Sequence, residues 1–224
     1  MRTTSAAIAG RYRIFFAGQA CGEERWRLEA TGDGGVVVTG EQVLDPPHPF
    51  PNRQEYRVTL TEGMRATGVE LRWTVGARTV VSTHRAVGGR WHVRIDADGQ
   101  AREQEGDFPD FAEVEIPSML SNAFLLARRD FAVGGEHEFP VLRIGPPLMA
   151  VSPERMLVRC VEKGTFDTPL GPIRASRYVV SLPPRTEDEG YAFWADEDGF
   201  VLEAYEGLDA SRPWMRLVEL WKES

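Results

Sequence analysis

Hydrophobic and polar residues alternate along most of this 224-residue chain, as they do in strands with one buried and one wet face. Residues 69–75 and 90–97 show the alternation most clearly, because every second position is apolar or aromatic and the others are charged or Thr. The apolar set comprises Val69, Leu71, Trp73, Val75, Trp91, Val93 and Ile95. These two runs predict strands with a defined inward face.

A strand is predicted in each of thirteen segments. They are 11–17, 23–31, 36–44, 56–60, 69–75, 78–86, 90–97, 138–144, 155–166, 173–182, 191–195, 200–206 and 214–221. Short turns separate many neighbours, and several carry Gly-Gly or Asp-Gly, so adjacent strands are expected to pair antiparallel in sequence order. The proline-rich segment 45–53 and the acidic, turn-rich segment 98–112 are predicted as connections.

Residues 113–131 form the one long helical pattern. Pro117 suits a first helical turn, and Ser118 is an alternative cap. Arg128 and Arg129 fall in the expected last turn, where the helix dipole favours cations. The apolar stripe comprises Met119, Leu120, Ala123, Phe124, Leu126, Ala127 and Phe131. A single amphipathic helix among strands is expected to lay this stripe on a sheet face.

These elements predict a mainly β fold and a single domain over residues 1–224, because no linker or internal repeat divides the chain. The expected architecture is a single large curved antiparallel sheet of about ten or more strands, unclosed and barrel-like. One central amphipathic helix is expected to pack on its concave face. Whether that helix plugs a packed core or covers a ligand cavity is open at this point.

Charge and cysteine content narrow the functional classes. The net charge of -8 argues against a nucleic-acid partner, since such proteins need an excess of basic residues. Cys21 and Cys160 are far apart and lack metal-ligand spacing, so each is expected to be a free interior thiol in a reducing compartment. No apolar run of transmembrane length and no signal-peptide pattern occurs, and a cytoplasmic location is therefore expected.

Histidine and acidic positions give little indication of a metal site. His84 and His92 are potential cross-strand neighbours, but alternation assigns His92 to the charged outer face. The segment 196–199, DEDG, contains acidic residues of the kind that bind calcium, yet it lacks the twelve-residue ligand pattern. A polar hairpin turn is the preferred interpretation, and no metal or cofactor is expected.

Catalytic motifs are equally weak. Glu23–Glu24 and Glu113/Glu115 supply carboxylate pairs, but both pairs are interpreted as facing opposite sides of extended backbone. No serine lies in a nucleophile elbow, and no phosphate-binding glycine loop follows a strand. Enzymatic activity is uncertain, and the sequence favours a protein without it.

Large aromatic residues at inward positions are the most distinctive feature of the chain. They indicate either an ordinary core or an apolar ligand cavity. The candidate ligand-binding residues are Trp26, Tyr56, Trp73, Trp91, Met119, Phe124, Tyr178 and Phe193.

The order of short motifs also resembles a bacterial family of unknown function. These motifs are GEERW at 22–26, the helix PSMLSNAFLLARRDF at 117–131, GPIRASRY at 171–178 and FWADEDG at 193–199. The resemblance implies the lipoprotein-carrier or glycolipid-binding fold, in which a curved antiparallel sheet wraps around a helix and a hydrophobic ligand. It implies no catalytic residue.

Three functions therefore follow in order of preference. The first is non-enzymatic binding of an apolar or lipid-like ligand in the concave face of the sheet. The second is a protein–protein interaction module, with a homodimer through a sheet edge as one form. The third is an enzyme acting on a hydrophobic substrate.

Overall fold

The computed structural model describes residues 7–108, 113–146, 149–182, 190–207 and 212–223. Their backbone forms fifteen strands in one sheet and one short helix. The first eight strands are β1 Ile8–Phe16, β2 Gln19–Ala30, β3 Val36–Leu44, β4 Asn52–Leu60, β5 Ala66–Val75, β6 Arg78–Val87, β7 Arg90–Ala97 and β8 Gln100–Asp107. The others are β9 Glu113–Glu115, β10 Glu136–Gly145, β11 Ala150–Thr168, β12 Gly171–Ser181, β13 Tyr191–Asp196, β14 Val201–Glu206 and β15 Pro213–Lys222, and the helix α1 is Leu120–Leu126.

Two meanders of strands meet in the middle of the sheet. The spatial order is β8-β7-β6-β5-β4-β3-β2-β1-β15-β14-β13-β12-β11-β10-β9, so the first and last strands of the chain are neighbours. Every pair is antiparallel except the short parallel pair of β9 with β10. The predicted single, unclosed, antiparallel sheet of ten or more strands is confirmed. Its two edges are β8 and β9.

The predicted helix over 113–131 is too long. Glu113–Glu115 is strand β9, paired with Val141–Arg143 of β10, and the helix covers only Leu120–Leu126. Backbone pairing at the sheet edge therefore competes successfully with helix formation before Pro117. Arg128 and Arg129 lie beyond the helix end, and no basic residue occupies its last turn.

The helix is also less amphipathic than its sequence suggests. All seven residues from Leu120 to Leu126 are buried, including Ser121 and Asn122. A helix enclosed by a strongly curved sheet has no side left for solvent. Its polar side chains must therefore find partners inside the protein.

The prediction of a connection over 98–112 is wrong for its first half. Gln100–Asp107 is strand β8, which pairs along its full length with β7. Every residue of β8 is exposed, so no apolar face was needed and no alternation marks it in the sequence. Asp98 and Gly99, both with positive φ, form the two-residue turn before it, and this Asp-Gly dipeptide is the signal that predicts the hairpin.

One hydrophobic core lies on the concave face. It combines inward side chains from both meanders with those of the helix, and charged side chains occupy most of the opposite, convex face. Within the described ranges, no helix is long and apolar enough to cross a membrane.

Candidate functional site on the concave face

A buried carboxylate fixes the start of the helix to the sheet. Glu24 of β2 is fully buried, and its Oε1 accepts hydrogen bonds from Tyr56 Oη at 2.6 Å and Ser118 Oγ at 2.5 Å. Gln42 Nε2 donates to Oε2 at 3.2 Å. Burial raises the pKa of Glu24 above its usual range, and these three donors oppose that shift by stabilising the charged form.

Two more polar contacts hold the same end of the helix. Gln54 Nε2 donates to the Pro117 carbonyl at 3.0 Å, and the Tyr191 hydroxyl donates to Asn122 Oδ1 at 3.2 Å. The Ser118 hydroxyl also accepts the Leu120 N–H at 3.1 Å. Because each contact joins the helical segment to a strand or closes its first turn, the helix is positioned at this end by specific hydrogen bonds. Apolar packing alone would not fix the position of the helix on the sheet.

Aromatic rings and glycines alternate along one row across the middle of the sheet. Gly10, Trp26, Gly40 and Tyr56 are successive register partners on β1 to β4. A Cβ atom on Gly10 would lie 2.4 Å from the Trp26 ring, and one on Gly40 would lie 2.2 Å from the Tyr56 ring. Each ring therefore occupies the space that a Cβ atom would fill at a glycine of the neighbouring strand, so the two large side chains fit only because these positions are glycine.

The predicted ligand-binding residues occupy one continuous core. Trp26, Tyr56, Trp91, Met119, Phe124, Tyr178 and Phe193 are all buried in it, and Trp73 is partly buried against it. Trp26 stacks on Phe200 at a centroid distance of 5.1 Å, and Tyr178 stacks on Phe193 at 5.4 Å. Of the predicted residues, Tyr178 and Phe193 thus contact each other, whereas Trp26 packs on Phe200 and Trp91 packs on Phe108.

A small, partly open cavity lies between the helix and the turn that joins β4 to β5. Its volume of about 20 Å³ is enough for roughly one water molecule. Met64, Phe124 and Met156 are among its lining residues. Glu113 and Glu115 line it together, which corrects the expectation that they face opposite sides: residues two apart in a strand share a face.

A larger cleft opens beside the end of the helix, and we call it the helix cleft. Its volume is about 440 Å³. Leu126, Phe131 and Tyr178 form buried parts of its lining. The charged residues of the lining are Arg129, Asp130, Lys163, Arg174, Asp196 and Glu197, three cations and three acids. Thr165 and Ser176 add hydroxyl groups between them.

Asp196 joins the cleft to the hairpin between β13 and β14. Its Oδ1 accepts the Phe200 N–H at 2.8 Å, as expected for a polar turn. Burial raises the pKa of Asp196 to about 6, with the nearby Asp198 adding to the shift. Gly199 closes the turn with a φ of +90° and packs against Leu126, where an added Cβ would lie 3.2 Å from that side chain.

The histidines do not form a site. His92 is exposed beside Glu105 on the convex face, as alternation predicted, whereas His84 is fully buried on the concave face. His84 Nε2 lies 2.9 Å from Ser82 Oγ, and burial lowers the pKa of the imidazole to about 4. Among the residues that the structure describes, no group of three or more His, Cys, Asp or Glu side chains has the arrangement of a metal site.

Two features of the site were not predicted from the sequence. The role of Glu24 was missed because a single acidic residue in an alternating strand has the same pattern whether buried or exposed, although Glu23 and Glu24 do face opposite sides as predicted. The helix cleft was missed because its lining comes from the helix end, β11, β12 and the turn after β13. Cys21 and Cys160 are free and buried, as predicted.

No protein-family model and no curated protein sequence matches the chain. Solved structures do resemble it. A DUF1089 family protein from Pseudomonas aeruginosa has 18% sequence identity and a TM-score of 0.55, over 83% of this chain and 90% of that one. A β-barrel-like protein of the domain of unknown function DUF1849 from Brucella abortus has 9% identity and a TM-score of 0.59, over 98% of each chain. These similarities support the fold: the chain shares a barrel-like architecture with uncharacterised bacterial families.

Proposed function

We propose that this protein binds an apolar or lipid-like ligand without chemical turnover, and that the polar end of the ligand occupies the helix cleft. The supporting observation is the cleft itself, about 440 Å³ in volume, with apolar side chains in its lining and charged side chains around them. That volume is within the usual range for small-molecule sites. An amphiphilic molecule matches such a lining better than a purely apolar or a purely ionic one.

The charged residues of the helix cleft define which chemical groups the polar end of the ligand must carry. Lys163 and Arg174 are exposed on neighbouring strands, where they can donate to an acidic or hydroxyl group. Asp130 and Glu197 line the same cleft, and their carboxylates can accept hydrogen bonds from a ligand. A head group with both acceptors and donors would satisfy both sets.

The apolar part of the ligand is expected to lie against Leu126, Phe131 and Tyr178. The small cavity near Phe124 shares no lining residue with the helix cleft and holds only about 20 Å³. A longer chain therefore has to displace core side chains. Met64 and Met156 line that cavity, and methionine adapts to irregular shapes more readily than branched side chains do. Binding is therefore expected to depend on a local rearrangement beneath the helix.

The test is a ligand search followed by a matched comparison of variants. Native mass spectrometry of gently purified protein identifies any retained molecule, and a lipid panel then measures the increase in melting temperature caused by binding. Lys163→Ala with Arg174→Ala should reduce that increase. Arg85→Ala with Arg94→Ala removes the same charge from exposed convex-face positions and should leave it unchanged.

Two results would contradict the proposal. One is a panel in which no amphiphile changes the melting temperature. The other is an equal loss of the ligand effect in both double variants, which would indicate a general charge effect and not a site in the cleft.

A further inference from the structure

Strand β8 presents an open edge. It lies at one end of the sheet order, all eight of its residues are exposed, and among the described residues no strand pairs with its outer side. An exposed edge of this length has unpaired backbone N–H and C=O groups that can bind another strand. The identity of the strand it accepts depends on which groups face outward.

The β7–β8 turn fixes that direction. Asp98 and Gly99 have φ values of 53° and 81°, as in a type I′ turn, and Ala97 pairs with Gln100 across it. The pair flanking such a two-residue turn is hydrogen-bonded, and hydrogen-bonded pairs alternate with non-bonded ones along an antiparallel ladder. The backbone groups that point away from β7 therefore belong to Ala101, Glu103, Glu105 and Asp107.

Three of these four residues are acidic, and their side chains share the convex face because they are two apart. Glu105 Oε1 lies 2.8 Å from Arg90 Nη2, and Glu105 Oε2 lies 3.4 Å from His92 Nδ1; both partners are on β7. Glu103 and Asp107 make no ion pair within the described residues. The outward edge thus combines free backbone groups with a row of carboxylates.

A second copy of β8 does not fit this edge. Antiparallel pairing through the outward groups joins residues of the set 101, 103, 105 and 107 to one another. The well-overlapped registers place Glu103 opposite Glu103 or Glu105, or Glu105 opposite Glu105. Like charges directly opposite destabilise a strand pair. The acidic row therefore disfavours self-association and leaves the edge open to an oppositely charged strand.

Opposite charges also face each other at other positions of the convex face. Arg57 of β4 is the register partner of Glu70 of β5, and Arg94 of β7 is the partner of Glu103 of β8. At these positions a basic and an acidic residue face each other on neighbouring strands. Where two acids are register partners, as Glu41 and Glu55 are, Arg53 forms an ion pair with both. A strand added beyond Glu103 would continue this arrangement if it were basic.

We propose that β8 binds an extended, basic segment of a protein partner as an added strand. The segment carries Lys or Arg at every second residue, and these side chains lie on the convex face opposite Glu103, Glu105 and Asp107. The backbone of the segment pairs with the outward N–H and C=O groups of β8. Affinity comes from the main chain, and selectivity comes from the carboxylates.

The test uses a labelled ten-residue peptide of alternating Lys and Thr, with two control peptides. One control has Glu in place of Lys, and the other keeps Lys but carries N-methyl groups on its edge-facing amides. Fluorescence anisotropy at low and physiological salt should show binding of the Lys–Thr peptide alone. Amide hydrogen exchange should slow at residues 101, 103, 105 and 107 when it binds.

Matched variants complete the experiment. Glu103→Gln with Asp107→Asn should weaken binding by roughly 2- to 30-fold, the range for two exposed ion pairs. Glu62→Gln with Glu70→Gln removes two exposed carboxylates away from the edge and should leave the affinity unchanged. Absence of binding, equal binding of the N-methylated peptide, or equal loss in both variants overturns the proposal.

Discussion

The pairing of Tyr56 with Gly40 allows a quantitative prediction. Gly40→Ala places a Cβ atom 2.2 Å from Tyr56 Cζ, 2.3 Å from Oη and 2.6 Å from Cε1, far inside van der Waals contact. Moving the Tyr56 ring costs free energy, because the ring is buried and its Oη donates a hydrogen bond to Glu24 Oε1 at 2.6 Å. Overpacking costs about 1–3 kcal/mol, and a lost hydrogen bond to a charged group costs about 1.5–3 kcal/mol more. We expect a total loss of roughly 3–5 kcal/mol in the free energy of unfolding.

Gly68→Ala in β5 is the matched control. Its new Cβ would meet its nearest neighbours at 3.6–3.8 Å, which is ordinary contact, and its φ does not require glycine. Since glycine destabilises a strand by about 0.5–1 kcal/mol relative to alanine, this variant should be neutral or slightly more stable. Urea unfolding at neutral pH measures both free energies.

A double-mutant cycle identifies the cause of the loss. In a Tyr56→Ala background the ring is gone, so Gly40→Ala should cost less than about 1 kcal/mol. The reasoning is refuted if Gly40→Ala and Gly68→Ala have equal effects, or if the cost of Gly40→Ala is the same with and without the ring.

Four further predictions concern the helix and the buried titratable groups. Ser118→Ala should lower the free energy of unfolding by about 1–3 kcal/mol in urea, because Glu24 loses a donor and the first helical turn loses its side-chain acceptor. The pKa of His84 is about 4 in the folded protein against 6.5 in the unfolded chain. Neutral His84 should therefore contribute up to about 3 kcal/mol to the free energy of unfolding above pH 6.5, and this contribution should be lost as pH falls towards 4. His84→Gln should remove this pH dependence in unfolding curves measured between about pH 4 and 7. Asp196 should act in the opposite direction, because its pKa is raised to about 6 from 3.8. The folded protein therefore gains stability relative to neutral pH as Asp196 becomes protonated. Asp196→Asn should abolish that gain. Phe124→Ala should cost about 3–5 kcal/mol if the helix plugs a packed core, and clearly less, with a lipid-dependent rise in melting temperature, if a ligand occupies this region.

The sequence by itself determined the fold class and most of the strands. Residues 36–44 and 90–97 are strands with the predicted bounds. In 90–97 one face is buried and the other is exposed, and the alternation of the sequence records this directly. The turns were equally local, since Asp-Gly and Gly-Gly dipeptides supply the positive φ that hairpins need. Residues 98–99 carried the same signal, but the strand after them is polar on both faces and shows no alternation.

Tertiary structure decided the pairing of distant elements. β1 and β15 are neighbours in the middle of the sheet, although the chain separates them by nearly its whole length. The helical pattern of 113–131 yielded to the parallel pairing of Glu113–Glu115 with β10, because a sheet edge satisfies backbone groups that a helix end would leave open. Trp73 shows the same limit in a strand: alternation predicted its inward direction, but its burial depends on what packs above it, and it is only partly buried.

The candidate sites depend on these distant contacts. Glu24 is buried and bonded only because Tyr56, Gln42 and Ser118 converge on it from two other strands and the helix. The helix cleft exists only where the end of the helix meets β11 and β12. The residue pattern records which face of a strand is apolar. The charge state and solvent access of a side chain depend on which residues pack above it, and only the folded chain brings those residues together.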